Sequence, residues 1–291
     1  MPLVVNTNIP SLTAQRYLNT NDASVNRSFT RLSSGFRINE ARDDAAGLSI
    51  STKMDSTIRG LKKAQQNAQD GVSILQIAEG ALSTMADALQ RIRELTVQAA
   101  NDTNSSSQRG SITQEIQQLT KEITRLANST QFNNLNLLTG SMTNKRLQVG
   151  AQADLVKNTV DISSALATAS PKALTLIGSA TSAAFTSSSN ISFINATVIR
   201  AFLGDVDRAL DKVNERRSLI GAYQNKIDSI TNNIQISTEN FSASQSRIRD
   251  LDIASETATL TRNQVLKQSS ISILSQANQS AQSVLSLLQG R

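Results

Sequence analysis

Apolar residues recur at every seventh position along two long stretches of this chain, and that repeat restricts its fold more than any other feature. Stepping by seven from Met54 gives Met54, Leu61, Ala68, Leu75, Leu82, Leu89 and Thr96, of which only the last is polar. Ile58, Val72, Met85 and Ile92 fill intermediate positions. From Val206 the same step gives Val206, Val213, Ile220, Ile227, Ile234, Phe241 and Ile248, all apolar. A strict seven-residue repeat marks a helix that buries a narrow seam against another helix. The prolines are Pro2, Pro10 and Pro171, so nothing of that kind interrupts either stripe. Gly60, Gly71 and Gly80 weaken the first helix locally, by up to about 1 kcal/mol each relative to Ala.

Further stripes complete a helical plan. Ile112, Ile116, Leu119, Ile123 and Leu126 follow the polar turn Asn101-Asp102-Thr103-Asn104-Ser105-Ser106-Ser107. Ser111 followed by Gln114 reads as a cap for that helix, with a start several residues earlier left open. At the chain's beginning Leu18, Val25 and Leu32 repeat by seven, with Phe29 and Phe36 offset by four. At its end Ile253, Leu260, Leu274, Ala281 and Leu288 keep the repeat, broken once at Lys267. Matching seams at the two extremes predict that the termini pair with each other.

A helix from Ser49 to Ala100 would be roughly 78 Å long at 1.5 Å per residue. A compact globule of this length is only about 50 Å across. The expected molecule is therefore a rod or part of a larger assembly. Between the long helices, Lys145–Gly150 and Asn158–Ile162 alternate in polarity as two strands of a hairpin would. After Pro171 the chain becomes small and polar, which reads as a short surface insertion. Its sequons at Asn190 and Asn195 are weak glycosylation signals, since Ser, Thr, Asn and Gln supply 112 of the 291 residues.

Composition excludes most chemistry. The chain has no Cys, His or Trp. Zinc, iron–sulfur, haem and copper sites lose their main ligands, and triads and thiol nucleophiles lose theirs. We therefore expect no enzyme and no cofactor. The net charge of +6 permits an anionic partner. Lys and Arg are scattered, however, and aromatic residues make up only 3%, so a solvated basic surface is preferred to nucleic-acid binding. No stretch approaches the ~20 apolar residues of a membrane span. No cleavable secretory signal is visible. The charged run Glu40-Ala41-Arg42-Asp43-Asp44 invites a metal reading, but adjacent helical residues point about 100° apart and do not converge. A structural role at a bend is the preferred reading.

Several segments together resemble bacterial flagellin. They are Val5-Asn6-Thr7-Asn8-Ile9-Pro10-Ser11-Leu12, then Leu32-Ser33-Ser34-Gly35-Phe36-Arg37-Ile38-Asn39 and Ala41-Arg42-Asp43-Asp44-Ala45-Ala46-Gly47-Leu48. Leu89–Leu95, Gln131-Phe132-Asn133, Ile273–Gln279 and Val284-Leu285-Ser286-Leu287-Leu288 continue the series. The resemblance implies a mainly α protein, an elongated rod of long antiparallel helices with a terminal coiled coil, one β-hairpin region and a small central insertion. The implied divisions are 1–43, the first half of an inner coiled-coil domain with its spoke, and 44–165, a helical rod segment with the hairpin. A variable insertion over 166–200, a returning rod helix over 201–248, and the second half of the coiled coil over 249–291 follow. Large outer domains, present in many family members, are expected to be missing.

The function implied is mechanical: subunits stack into the extracellular flagellar filament used for motility, after type III export without signal cleavage. A hook–filament junction protein of the same superfamily is the alternative. The residues expected to pack helices in the filament core are Leu18, Val25, Phe29, Leu32, Leu260, Leu274, Ala281, Val284, Leu285 and Leu288. Arg37, Asn39, Arg42, Asp43 and Asp44 form the expected bend motif. The implied partners are further copies of the chain, an export chaperone on the C-terminal helix, and filament cap and junction proteins. Gln90, Arg91, Leu95, Gln98 and Glu115 match the region of the family bound by Toll-like receptor 5, with an exposed Leu95 beside Arg91 as the expected hot spot. The bland alternative is a surface ion pair between Arg91 and Glu115 on antiparallel helices.

Overall fold

The computed structural model describes residues 7–140, 145–154, 157–163, 165–166 and 196–289, with side chains from 198 and up to 283 in the last segment. Five helices carry the described chain: α1 (Ile9–Ser34), α2 (Ala45–Ala99), α3 (Ser106–Ser129), α4 (Ala196–Arg249) and α5 (Ile253–Gln289). Two short antiparallel hairpins lie between α3 and α4, formed by β1 (Gln131–Phe132) with β2 (Leu135–Asn136) and β3 (Arg146–Gln148) with β4 (Thr159–Asp161). The mainly helical expectation holds, and so does the hairpin over 145–162. Most of the expected insertion, with both sequons, lies outside the described residues. Leu166 at its edge is buried, and α4 already begins at Ala196.

The chain divides into two compact units, one of Met1–Thr57 with Glu239–Arg291 and one of Ile58–Thr238. In the second unit the heptad stripes form the core. Ala68, Leu75, Leu82, Leu89 and Thr96 of α2 are all buried, as are Val206, Val213, Ile220 and Ile227 of α4. Ile112, Ile116 and Ile123 of α3 join the same cluster. Arg93 pairs with Asp207 and Gln224 donates to Glu79, so α2 and α4 run antiparallel. Thr96, the one polar residue in the α2 stripe, donates its hydroxyl to the Ile92 carbonyl at 2.7 Å. Burial of the hydroxyl is thereby satisfied without any partner from another helix.

Local chemistry sets the ends of α3. Ser105 accepts from the Gln108 backbone N–H, and the Gln108 side chain accepts from the Ser105 N–H at 2.8 Å. That reciprocal capping box starts the helix at Ser106, which corrects the Ser111–Gln114 reading. Beyond α3, Asn133 and Asn134 both take positive φ, 47° and 62°, to make the two-residue turn between β1 and β2. The second hairpin lies against α2. Asn67 donates to the Gln148 carbonyl at 3.0 Å, and the Leu147 side chain occupies the space a Cβ on Gly71 would take.

In the first unit α1 and α5 pair antiparallel along a seam spaced alternately by three and four residues. Ala14, Leu18, Asn21, Val25, Ser28 and Leu32 supply one side. Glu256, Leu260, Asn263, Lys267, Ser270, Leu274, Ala277 and Ala281 supply the other. All are buried or half-buried. The break at Lys267 is therefore part of the seam, where its ammonium meets Asp22 at 2.6 Å.

Candidate assembly surfaces

Apart from Glu256, the fully buried side chains of the paired terminal helices among the described residues are small, the seam leucines are half-buried, and many large apolar side chains lie outside. On α1 the buried residues are Ala14, Val25 and Ser28, which let the backbones approach closely but remove little apolar area from water. Nine of the fifteen large apolar side chains exposed among the described residues lie on α1 and α5. They include Leu12, Tyr17 and Phe29 on α1, and Ile253, Val265 and Ile273 on α5. An apolar groove of about 690 Å³ runs between the helices, lined by Ile9, Pro10, Tyr17, Leu266 and Ile273 among others. Contiguous apolar surface of this kind marks a contact site rather than a finished exterior.

The expected core residues therefore divide. Val25 is buried in the seam, whereas Leu18, Leu32, Leu260, Leu274 and Ala281 are half-buried there. Phe29 lies 51% exposed and does not enter it. Val284, Leu285 and Leu288 fall on the last turns of α5, and their side chains lie outside those described.

At the base of the pair, the links α1–α2 and α4–α5 lock together by backbone pairing. Gly35 ends α1 in the left-handed region at φ 72°, a conformation that glycine adopts without a Cβ penalty. The Leu251 N–H then donates to the Gly35 carbonyl at 3.0 Å, and the Arg37 N–H to the Arg249 carbonyl at 2.7 Å. Phe36 bridges Asp250, and the Arg249 guanidinium sits 4.1 Å from the centre of the Phe36 ring. The Arg37 side chain adds a bond to the Ile248 carbonyl at 2.6 Å.

The charged run serves this joint. Asn39 donates to Ser34 Oγ and the Phe36 carbonyl. Asp43 accepts from the backbone N–H groups of Asn39 and Glu40 and faces Arg31 at 3.8 Å. Burial works to raise the Asp43 carboxyl, but those two N–H groups and the charges of Arg31 and Arg42 outweigh it and hold it below the usual carboxylate value. Asp44 accepts from the Gly47 N–H at 2.8 Å and so serves the first turn of α2. Arg42 pairs with Glu40 at the surface. The two aspartates have separate partners, but not for the helical reason expected: both lie in the link between α1 and α2, and the turn there sets their directions.

In the second unit Arg91 reaches across to α3. Its Nη2 and Nε donate to Glu115 Oε1 at 2.9 and 3.0 Å, and its Nη1 donates to Glu94 at 3.2 Å. The hydrogen bonds to Glu115 and Glu94 raise its proton affinity further. Gln90, Gln98 and Glu115 are exposed around it. Leu95 is not: at 3% exposure it belongs to the three-helix core. The expected exposed leucine is corrected here, because Leu95 is spaced three from Ile92 and four from Ala99, which faces the core as well. Val97, 50% exposed, is the apolar side chain that this stretch presents to solvent.

Paired terminal helices with apolar side chains left outside their seam define a helical coiled-coil protein with faces free to meet further helices. The chain belongs to the bacterial flagellin family. The family's N-terminal helical region matches residues 5–143, and its C-terminal helical region matches residues 203–288. A flagellar filament 33 kDa core protein of Treponema phagedenis is 40% identical over 98% of this chain and 100% of its own length. A flagellin of Halalkalibacterium halodurans is also 40% identical, over 98% and 100%. A crystal structure of Bacillus cereus flagellin is 28% identical, covers 58% of this chain and 88% of its own, and has a TM-score of 0.46.

Proposed function

We propose that this protein is a repeating structural subunit of the bacterial flagellar filament. One observation carries the reading beyond family membership: the helices at both ends pair along one narrow seam and leave Leu12, Tyr17, Phe29, Val265 and Ile273 exposed. Each copy then offers apolar faces to its neighbours, and contacts that do not close on themselves propagate as a helix. The function is mechanical, and the filament is extracellular. The division at 1–43, 44–165, 166–200, 201–248 and 249–291 belongs to this proposal, with the first and last segments forming the inner coiled coil. The hook–filament junction alternative has less support, since full-length relatives are named as flagellin and filament core proteins.

Finer partners follow from the same reading. An export chaperone would cover α5 at Leu274, Val284, Leu285 and Leu288, and cap and junction proteins would meet the filament's ends. Gln90, Arg91, Gln98 and Glu115 form the surface offered to Toll-like receptor 5, while Leu95 supports it from beneath. The filament reading is tested by electron microscopy of purified full-length protein after seeding, beside a chain lacking residues 1–40. Filaments of uniform width from the full chain alone are expected. Failure of the full chain to polymerise, or undiminished polymerisation of the truncated one, refutes it.

A further inference from the structure

We infer that the register of α1 against α5, and the choice of α5 rather than a second α1 as partner, are set by polar pairs in and beside the seam. The apolar repeat does not set them. Leu260, Leu274 and Ala281 recur by sevens on α5, as do Leu18, Val25 and Leu32 on α1. Sliding one helix by seven residues, about 10 Å, therefore sets apolar against apolar again. Beyond the backbone joint at the base, what distinguishes the native alignment along the helices is Asn21 donating to Ser270 Oγ at 3.1 Å and Asp22 against Lys267 at 2.6 Å. Further out, Ser11 donates to Asn278 Oδ1 at 2.8 Å and Asn8 to the Ala277 carbonyl at 2.9 Å.

A one-heptad slip breaks all of these at once. Asp22 would face Leu260 or Leu274, and Lys267 would face Gln15 or Phe29. Each charge would be half-buried against an apolar or neutral neighbour without its counter-ion, which is unfavourable. Pairing α1 with a second α1, or α5 with a second α5, likewise separates Asp22 from Lys267. A polar residue at a seam position specifies alignment and partner at some expense of stability, as in other coiled coils. The backbone joint at Phe36 and Asp250 fixes the base of the pair, and the polar contacts carry the same alignment to its far end.

The consequence for assembly rests on the filament reading. Tyr17 and Ile273 line one groove in the native alignment, and a slip of about 10 Å would shift them past each other, so a slipped pair would present a different outer face to neighbouring copies. The chain has no cysteine, so Ser11→Cys with Asn278→Cys gives one reporter pair, joined by a short thiol-reactive cross-linker; it gives up that outer hydrogen bond and keeps Asn21–Ser270 and Asp22–Lys267. The intramolecular product is measured in sedimented polymer and in the soluble fraction. Asp22→Lys, which sets Lys against Lys267, is expected to lower it roughly fivefold, and Asp22→Lys with Lys267→Asp to restore it within about twofold. Asp22→Leu with Lys267→Leu is expected to replace it by cross-links between chains, although an apolar pair strengthens the seam. Equal intramolecular yield in all variants overturns the register inference and leaves the filament reading standing. Absence of the product from the reporter chain that keeps Asn21, Asp22, Lys267 and Ser270 also overturns it. Absence of polymer from that chain, with the product present in solution, overturns the filament reading instead.

Discussion

Substituting alanine for two glycines of α2 should change stability differently, although both sit inside one helix. Gly to Ala in a helix interior gains about 1 kcal/mol from backbone entropy and propensity. At Gly80 a Cβ would meet nothing within 4 Å, so the whole gain is available. At Gly60 the same Cβ would lie 2.9 Å from the Ala151 Cβ and 3.3 Å from its Cα. The second of these is backbone, which cannot swing aside as a side-chain tip does. Overcrowding of this kind costs about 1–3 kcal/mol. Gly80→Ala should therefore stabilise by about 1 kcal/mol, and Gly60→Ala should be neutral or destabilise by up to about 2 kcal/mol. Urea unfolding followed by far-UV circular dichroism would separate their midpoints by roughly 0.3–1 M. Equal shifts in the two variants would refute the close approach of the segment after β3 to α2.

Ser105→Ala removes one half of the capping box of α3 and should lower stability by about 1 kcal/mol, whereas Ser111→Ala should change it little; the same urea titration compares them. Asp43 has its folded pKa depressed, so its contribution is present above the unfolded value near 3.9 and is lost as pH falls through the folded value. Asp43→Asn should thus lower the urea midpoint at neutral pH and reduce the further drop on acidification below about pH 4; an identical pH profile in both proteins would count against the joint. Leu95→Ala opens a cavity in the three-helix core and should cost about 2–5 kcal/mol. Arg91→Ala should leave the unfolding midpoint almost unchanged yet weaken Toll-like receptor 5 signalling in a reporter-cell assay; unaltered signalling would remove Arg91 from that surface.

Much of this fold is legible because a seven-residue repeat has one efficient use. Val206 through Ile227 and Ala68 through Leu89 are buried where their spacing placed them, since burying a seam every 3.5 residues requires another helix alongside. The second hairpin was legible from alternation. The turn at Asn133 and Asn134 was not, because strands of two residues are too short to show a period, although paired asparagines favour left-handed backbone. Ser105 competed with several serines and threonines in one polar stretch, and only the bonds exchanged with Gln108 single it out.

By itself, the sequence determined helices, seams and the absence of Cys and His chemistry, because these depend on residue type and spacing along one chain. Tertiary structure decided which side of each helix was left uncovered. Leu95 and Phe29 carry comparable apolar signals, yet Leu95 on α2 is buried in a core shared with α3 and α4, whereas Phe29 stays 51% exposed on a helix paired with α5. Lys267 read as a flaw in the stripe until Asp22 was found opposite it. Gly60 and Gly80 read alike until Ala151 was found against one of them. Periodicity reports that a face is apolar; the partner that covers it comes from distant parts of the chain, and their approach sets exposure, pairing and steric room.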